Sequence, residues 1–113
     1  MPIGQTPPPV LMPGVWDPLS ARVAARAGHA VVFLSGYAVA GTMLGQPDVG
    51  LLTQTEMADA ARRVCAAAPE LCVVVDGDTG YGNPVNTART VELWEAAGAS
   101  GIFLEDQVWP KRC

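Results

Sequence analysis

Four short, mostly apolar runs recur along the chain at Val10–Met12, Ala30–Leu34, Leu71–Val75 and Ser100–Leu104. Their hydrophobicity is continuous rather than alternating, which predicts strands covered on both faces, as in a parallel sheet. Between them lie segments with helical spacing. Asp17 and Pro18 read as N-cap and first helical residue. Leu19, Val23 and Ala27 then recur four apart as the predicted inner face, with Arg22 and Arg26 opposite and Gly28 as the stop. Thr53 and Glu56 form a capping box. It opens a helix whose inner residues are Met57, Ala60, Ala61, Val64 and Ala68, ended by Pro69. Asn83–Pro84 opens a third helix, with Ala88, Val91, Trp94 and Ala97 inward and Gly98 as its end.

Two stretches fall outside this rhythm. Residues 1–9 form a Pro-rich arm, predicted to be extended because proline lacks the amide donor. Ser35 to Leu52 is a Gly-rich connection, long enough to suggest a functional loop. Ala27–Ser35 aligns with Ala97–Glu105 as an internal repeat: helix end, Gly, a Phe-Leu strand and a polar exit. Strands alternating with helices imply right-handed parallel β/α units. Residues 10–113 would hold about four strands and three helices, fitting a small open sheet or half of an eight-stranded barrel. A full barrel takes about 250 residues. In the half-barrel, Val32, Leu34, Val74 and Ile102, or their neighbours, would point inward, and the first and fourth strands would present open edges.

Composition narrows the classes. Of 113 residues, 50% are hydrophobic and 16% charged, so the chain can build a core. The net charge of -4, with no basic block, argues against nucleic acid. No run approaches the length of a membrane span, and the N-terminus lacks the pattern of a signal peptide. Cys65, Cys72 and Cys113 show no disulfide framework and read as reduced thiols, so the expected compartment is the cytoplasm.

In parallel β/α folds ligands bind at the carboxyl ends of strands. The predicted exits are Ser35-Gly36-Tyr37, Asp76-Gly77-Asp78-Thr79-Gly80-Tyr81-Gly82 and Glu105-Asp106-Gln107. Acidic groups thus converge on one rim. They repel unless protonated or bridged by a cation, and hard oxygens without a nearby His favour Mg²⁺ or Mn²⁺ over zinc. The alternative is strand-end carboxylates capping neighbouring amides. Ser35-Gly36-Tyr37 could offer amides to an anion, or simply make a turn. His29, Trp16, Trp94 and Trp109 read as structural. Lys111 and Arg112 beside Cys113 would favour a thiolate.

These exits, together with Pro13-Gly14-Val15-Trp16-Asp17, Leu44-Gly45-Gln46-Pro47-Asp48, Arg89-Thr90-Val91 and Glu105 through Cys113, resemble the isocitrate lyase and phosphoenolpyruvate mutase superfamily. The resemblance implies the N-terminal half of a (β/α)8 barrel. It implies a Mg²⁺-dependent carbon–carbon lyase acting on small 2-hydroxy or 2-oxo acids. Asp76 would bind the metal directly, and Asp48, Asp78 and Glu105 would hold it largely through waters. Ser35, Gly36 and Tyr37 would bind substrate. Lys111, Arg112 and Cys113 would form the catalytic ending, with Cys113 as general acid. The Gly-Tyr-Gly-Asn form resembles methylisocitrate and dimethylmalate lyases, and also carboxyphosphonoenolpyruvate mutases. A homo-oligomer or a complementary half-barrel would complete the structure.

Overall fold

A computed structural model describes residues 3–112. In chain order its elements are β1 (Gly14–Val15), α1 (Pro18–Arg26), β2 (Val31–Leu34), α2 (Gly36–Val39), α3 (Gln54–Ala67), β3 (Cys72–Asp76), α4 (Pro84–Ala97) and β4 (Gly101–Phe103). One π-helical turn, Ala40–Leu44, continues α2. The four strands are parallel and follow chain order, β1-β2-β3-β4. This is the arrangement of the first four units of a β/α barrel.

The caps act as the residue types dictate. Asp17, Thr53 and Asn83 each accept a backbone amide in a capping box, and Pro18 and Pro84 stand at the first helical position. Gly98 ends α4 in the left-handed conformation, whereas α1 is capped by Ala27, just before Gly28.

Several sequence expectations shift. The first strand is Gly14–Val15 rather than Val10–Met12, because the ladder partners of β2 begin beyond Pro13. The connection after Ser35 is not all loop: Ser35 caps α2 through its hydroxyl. On α1 the inner face is Ala21 and Ala24, while Leu19 and Val23 are exposed. On α4 Thr90 and Trp94 are buried, while Ala88 and Val91 face out. The α3 face falls where its spacing predicts, with Met57, Ala60, Ala61, Val64 and Ala68 all buried.

The core lies between the sheet and the helices. Val15, Val32, Leu34, Val73 and Val75 pack there against α1, α3 and Trp94 of α4. Val32 and Leu34 therefore face the helices, not a barrel interior; β alternation sends Phe33 and Val74 to the other side. That other face carries the Phe33–Phe103 ring pair, 5.2 Å between centroids, with Phe103 half exposed. Asp76 lies on this same face at the exit of β3, as the alternation from Val74 requires. Among the described residues no helix is long and apolar enough to cross a membrane.

Candidate active site

The turn leaving β3 is built around Asp76. Its Oδ1 accepts the Asp78 amide at 2.9 Å and its Oδ2 accepts the Gly36 amide at 3.0 Å. The carboxylate therefore joins the exits of β2 and β3. Gly36 allows this approach, since a Cβ there would stand 2.9 Å from Asp76 Oδ2. The turn itself is strained, with Asp78 at φ 50° and Tyr81 at φ 63°, both in the left-handed region. It is pinned to β4 by Gly77 N–H to the Phe103 carbonyl (2.7 Å) and Glu105 N–H to the Asp78 carbonyl (2.8 Å).

Helix α4 holds the turn from beneath. The Trp94 indole N–H donates to the Asp76 carbonyl at 3.1 Å, and the Thr90 hydroxyl lies 2.8 Å from the Gly80 carbonyl. Sequence spacing places Trp94 in the core but does not reveal this bond. Thr90 carries one available signal, a hydroxyl four residues before Trp94 on the same helix face.

Above the turn, Lys111 closes the site. Its Nζ is 2.6 Å from Asp48 Oδ1 and 3.3 Å from Asp78 Oδ2, and the lysine is buried. Burial disfavours its charge, but the hydrogen bond to Asp48 and the charges of Asp78 and Asp48 outweigh that, so its pKa is raised. The segment from 108 to 112 thus lies as a strap across the rim. Trp109 sets its ring against Gly50, which has φ 86° and no room for a Cβ beneath the indole. A cavity of about 520 Å³ opens beside this contact, lined by Leu52, Thr53, Thr79, Tyr81 and Trp109 among others. The Tyr81 phenol is pushed well up by burial and then by Asp78, Asp76 and Asp48, so it stays protonated.

The expected site residues are only partly gathered. Asp76 and Asp78 share the turn, and Asp48 meets Asp78 through Lys111. Glu105 is exposed and touches the turn through its backbone amide. Ser35 is half-buried, with Oγ accepting from the Ala38 amide at 3.2 Å; Gly36 is buried, and Tyr37 is exposed. Arg112 is exposed, and Cys113 lies outside the described residues.

A divalent cation suits this rim by donor type. The oxygens are hard, and Asp78 Oδ1 is buried without a hydrogen-bond partner among the described residues. The observed spacing serves the lysine instead: among the described residues no three His, Cys, Asp or Glu side chains stand close enough to hold an ion.

Known proteins are similar to this chain in sequence and in fold. The family described as phosphoenolpyruvate phosphomutase matches residues 3–112. The chain is 61% identical over 104 residues to the petal death protein of Dianthus caryophyllus, covering 92% of this chain and 33% of that protein. It is 55% identical over 104 residues to the chloroplastic carboxyvinyl-carboxyphosphonate phosphorylmutase of Arabidopsis thaliana, covering 92% and 31%. A crystal structure of 2,3-dimethylmalate lyase, a member of the PEP mutase/isocitrate lyase superfamily, superposes with a TM-score of 0.83 at 40% identity. That match covers 86% of this chain and 35% of the lyase. The chain thus spans about a third of the length of the curated relatives it matches.

Proposed function

Because this chain belongs to the phosphoenolpyruvate phosphomutase family, we propose that it supplies the first half of a divalent-cation-dependent carbon–carbon lyase. The substrate is a small 2-hydroxy di- or tricarboxylate of the methylisocitrate type, and the products are a 2-oxo acid and a carboxylate. The observation that carries this reading is the carboxylate rim, in which Asp76 ties two strand exits together and Asp78 keeps a buried oxygen without a hydrogen-bond partner among the described residues.

In this reading Asp76 holds Mg²⁺ or Mn²⁺, with Asp48, Asp78 and Glu105 around it. The cation, when bound, acidifies the substrate hydroxyl. Ser35, Gly36 and Tyr37 bind the substrate carboxylate; the Ser35 hydroxyl accepts from Ala38 and keeps its own proton to donate. Loss of the hydroxyl proton to a rim carboxylate lets the oxygen's electrons form the 2-oxo group as the C–C bond breaks. The departing carbanion then takes a proton from Cys113 Sγ. Lys111 and Arg112 lead into that cysteine, and Lys111 fastens the strap on the rim side.

A second reading, a phosphonate-type mutase, rests on the 55% identity to the Arabidopsis enzyme; the Lys111-Arg112-Cys113 ending favours the lyase. A third, in which the open face with Phe33 and Phe103 binds a second copy or a complementary half-barrel without catalysis, rests on the exposure of Phe103. The test is calorimetric titration of the chain with Mn²⁺, beside assays with 2-methylisocitrate, dimethylmalate and phosphoenolpyruvate with and without Mg²⁺. Wild type is expected to bind Mn²⁺ and Asp76→Asn to lose binding. Equal heats from both proteins would refute the assignment of Asp76.

A further inference from the structure

We infer that the Thr90 hydroxyl is a positioning group for the carboxylate rim, tying the segment that carries Asp48 to the turn that carries Asp76 and Asp78. This rests on the rim being a cation site. Thr90 is fully buried on α4. Its oxygen accepts from Gln54 Nε2 at 2.7 Å and stands 2.8 Å from the Gly80 carbonyl and 3.0 Å from the Asn86 carbonyl.

Counting protons makes the arrangement specific. A hydroxyl has one hydrogen to give, so it serves one carbonyl at a time. Gln54 Nε2 also lies 3.3 Å from the Asn86 carbonyl, and its amide has two hydrogens. Gln54 can therefore donate one to Thr90 and one to Asn86, leaving the Thr90 proton for Gly80. Gln54 opens α3, directly after the loop that bears Asp48 and Gly50. Gly80 closes the strained turn that bears Asp78.

A left-handed Asp persists only where the surroundings over-determine it. The anchors here include the Asp78 amide on Asp76, the Gly77 amide on the Phe103 carbonyl, the Glu105 amide on the Asp78 carbonyl, Trp94 on the Asp76 carbonyl, Lys111 between Asp78 and Asp48, and Thr90 on the Gly80 carbonyl. Of these, only the Thr90 hydroxyl is also hydrogen-bonded to α3, through Gln54; Lys111 joins the Asp48 segment to the Asp78 side chain, whereas Thr90 joins it to the turn's backbone at Gly80. Without the hydroxyl, the Gly80 carbonyl and the Gln54 amide both lose a buried partner. The turn then relaxes relative to the Asp48 segment, with the packing around position 90 intact.

Two variants of the full chain separate positioning from packing. Thr90→Val keeps the volume and removes the hydroxyl; Thr90→Ser keeps the hydroxyl and removes a methyl. Amide hydrogen exchange at Asp78 and Gly80, Mn²⁺ affinity by calorimetry, and the urea midpoint are read for each. Thr90→Val is expected to speed exchange at Asp78 and Gly80 by about tenfold, the scale of one lost buried hydrogen bond. It should weaken Mn²⁺ binding several-fold, with exchange in β2 unchanged. Thr90→Ser should restore both readings toward wild type even though its urea midpoint falls. Wild-type exchange in Thr90→Val, or a Thr90→Ser variant that behaves like Thr90→Val, overturns the inference. Wild-type chain that binds no Mn²⁺ refutes the cation site, and the exchange rates still decide whether Thr90 positions the turn.

Discussion

Replacing Lys111 by Met removes the ammonium that lies between Asp48 and Asp78 and leaves two carboxylates facing each other. Truncating one partner of a buried pair costs about 3–5 kcal/mol, because the remaining charge is uncompensated. Two responses can relieve that cost: the strap lets go and water reaches Asp78, or the whole domain is destabilised. The strap is held otherwise mainly by Trp109, which stays 52% exposed. A tryptophan buries about 150–250 Å² when covered, so this seat removes about 100 Å² from water, or about 2.5 kcal/mol. The penalty exceeds the seat, and release of the strap wins. Lys111→Met should therefore lose about the 2.5 kcal/mol of the seat, a melting temperature lowered by about 10 °C, and Trp109 should become solvated. In a Trp16→Phe background, where Trp94 stays buried, this reads as a red-shifted emission and stronger acrylamide quenching. A melting temperature lowered by more than about 5 °C with unchanged emission would refute the argument, since it would place the cost on the fold rather than on the strap.

In Gly77→Ala a Cβ would meet the Phe103 carbonyl at 2.7 Å and Leu104 Cδ2 at 2.8 Å. Overpacking and the weakened Gly77–Phe103 bond together predict a loss of about 2–4 kcal/mol in urea unfolding, and a wild-type midpoint would refute it. Cys65 is half-buried and burial raises its thiol pKa, whereas Cys72 is exposed. Since the thiolate is the reactive form, iodoacetamide should label Cys72 before Cys65 at neutral pH, and labelling of Cys65 should keep rising as the pH climbs. Peptide mass spectrometry showing Cys65 modified before Cys72 would contradict this.

Local chemistry made much of this protein legible. Asp17-Pro18, Thr53 with Glu56, and Asn83-Pro84 mark helix starts because capping is settled within a few residues. The continuous apolar runs at β2 and β3 mark buried strands for the same reason, and the strand exits place Asp76 and Asp78 on the rim. What the chain could not disclose by itself depends on neighbours distant in sequence. The inner faces of α1 and α4 are set by how each helix rolls onto the sheet, so Ala21 and Thr90 are buried where spacing favoured Leu19 and Val91. The start of β1 follows from its pairing with β2 rather than from its own hydrophobicity. The rim shows the same division. Its carboxylates are written in the sequence. Only the tertiary structure brings Lys111 between Asp48 and Asp78, and aims Thr90 and Trp94 at the turn, because those contacts cross 10 to 63 residues of chain (111 minus 48 for the longest).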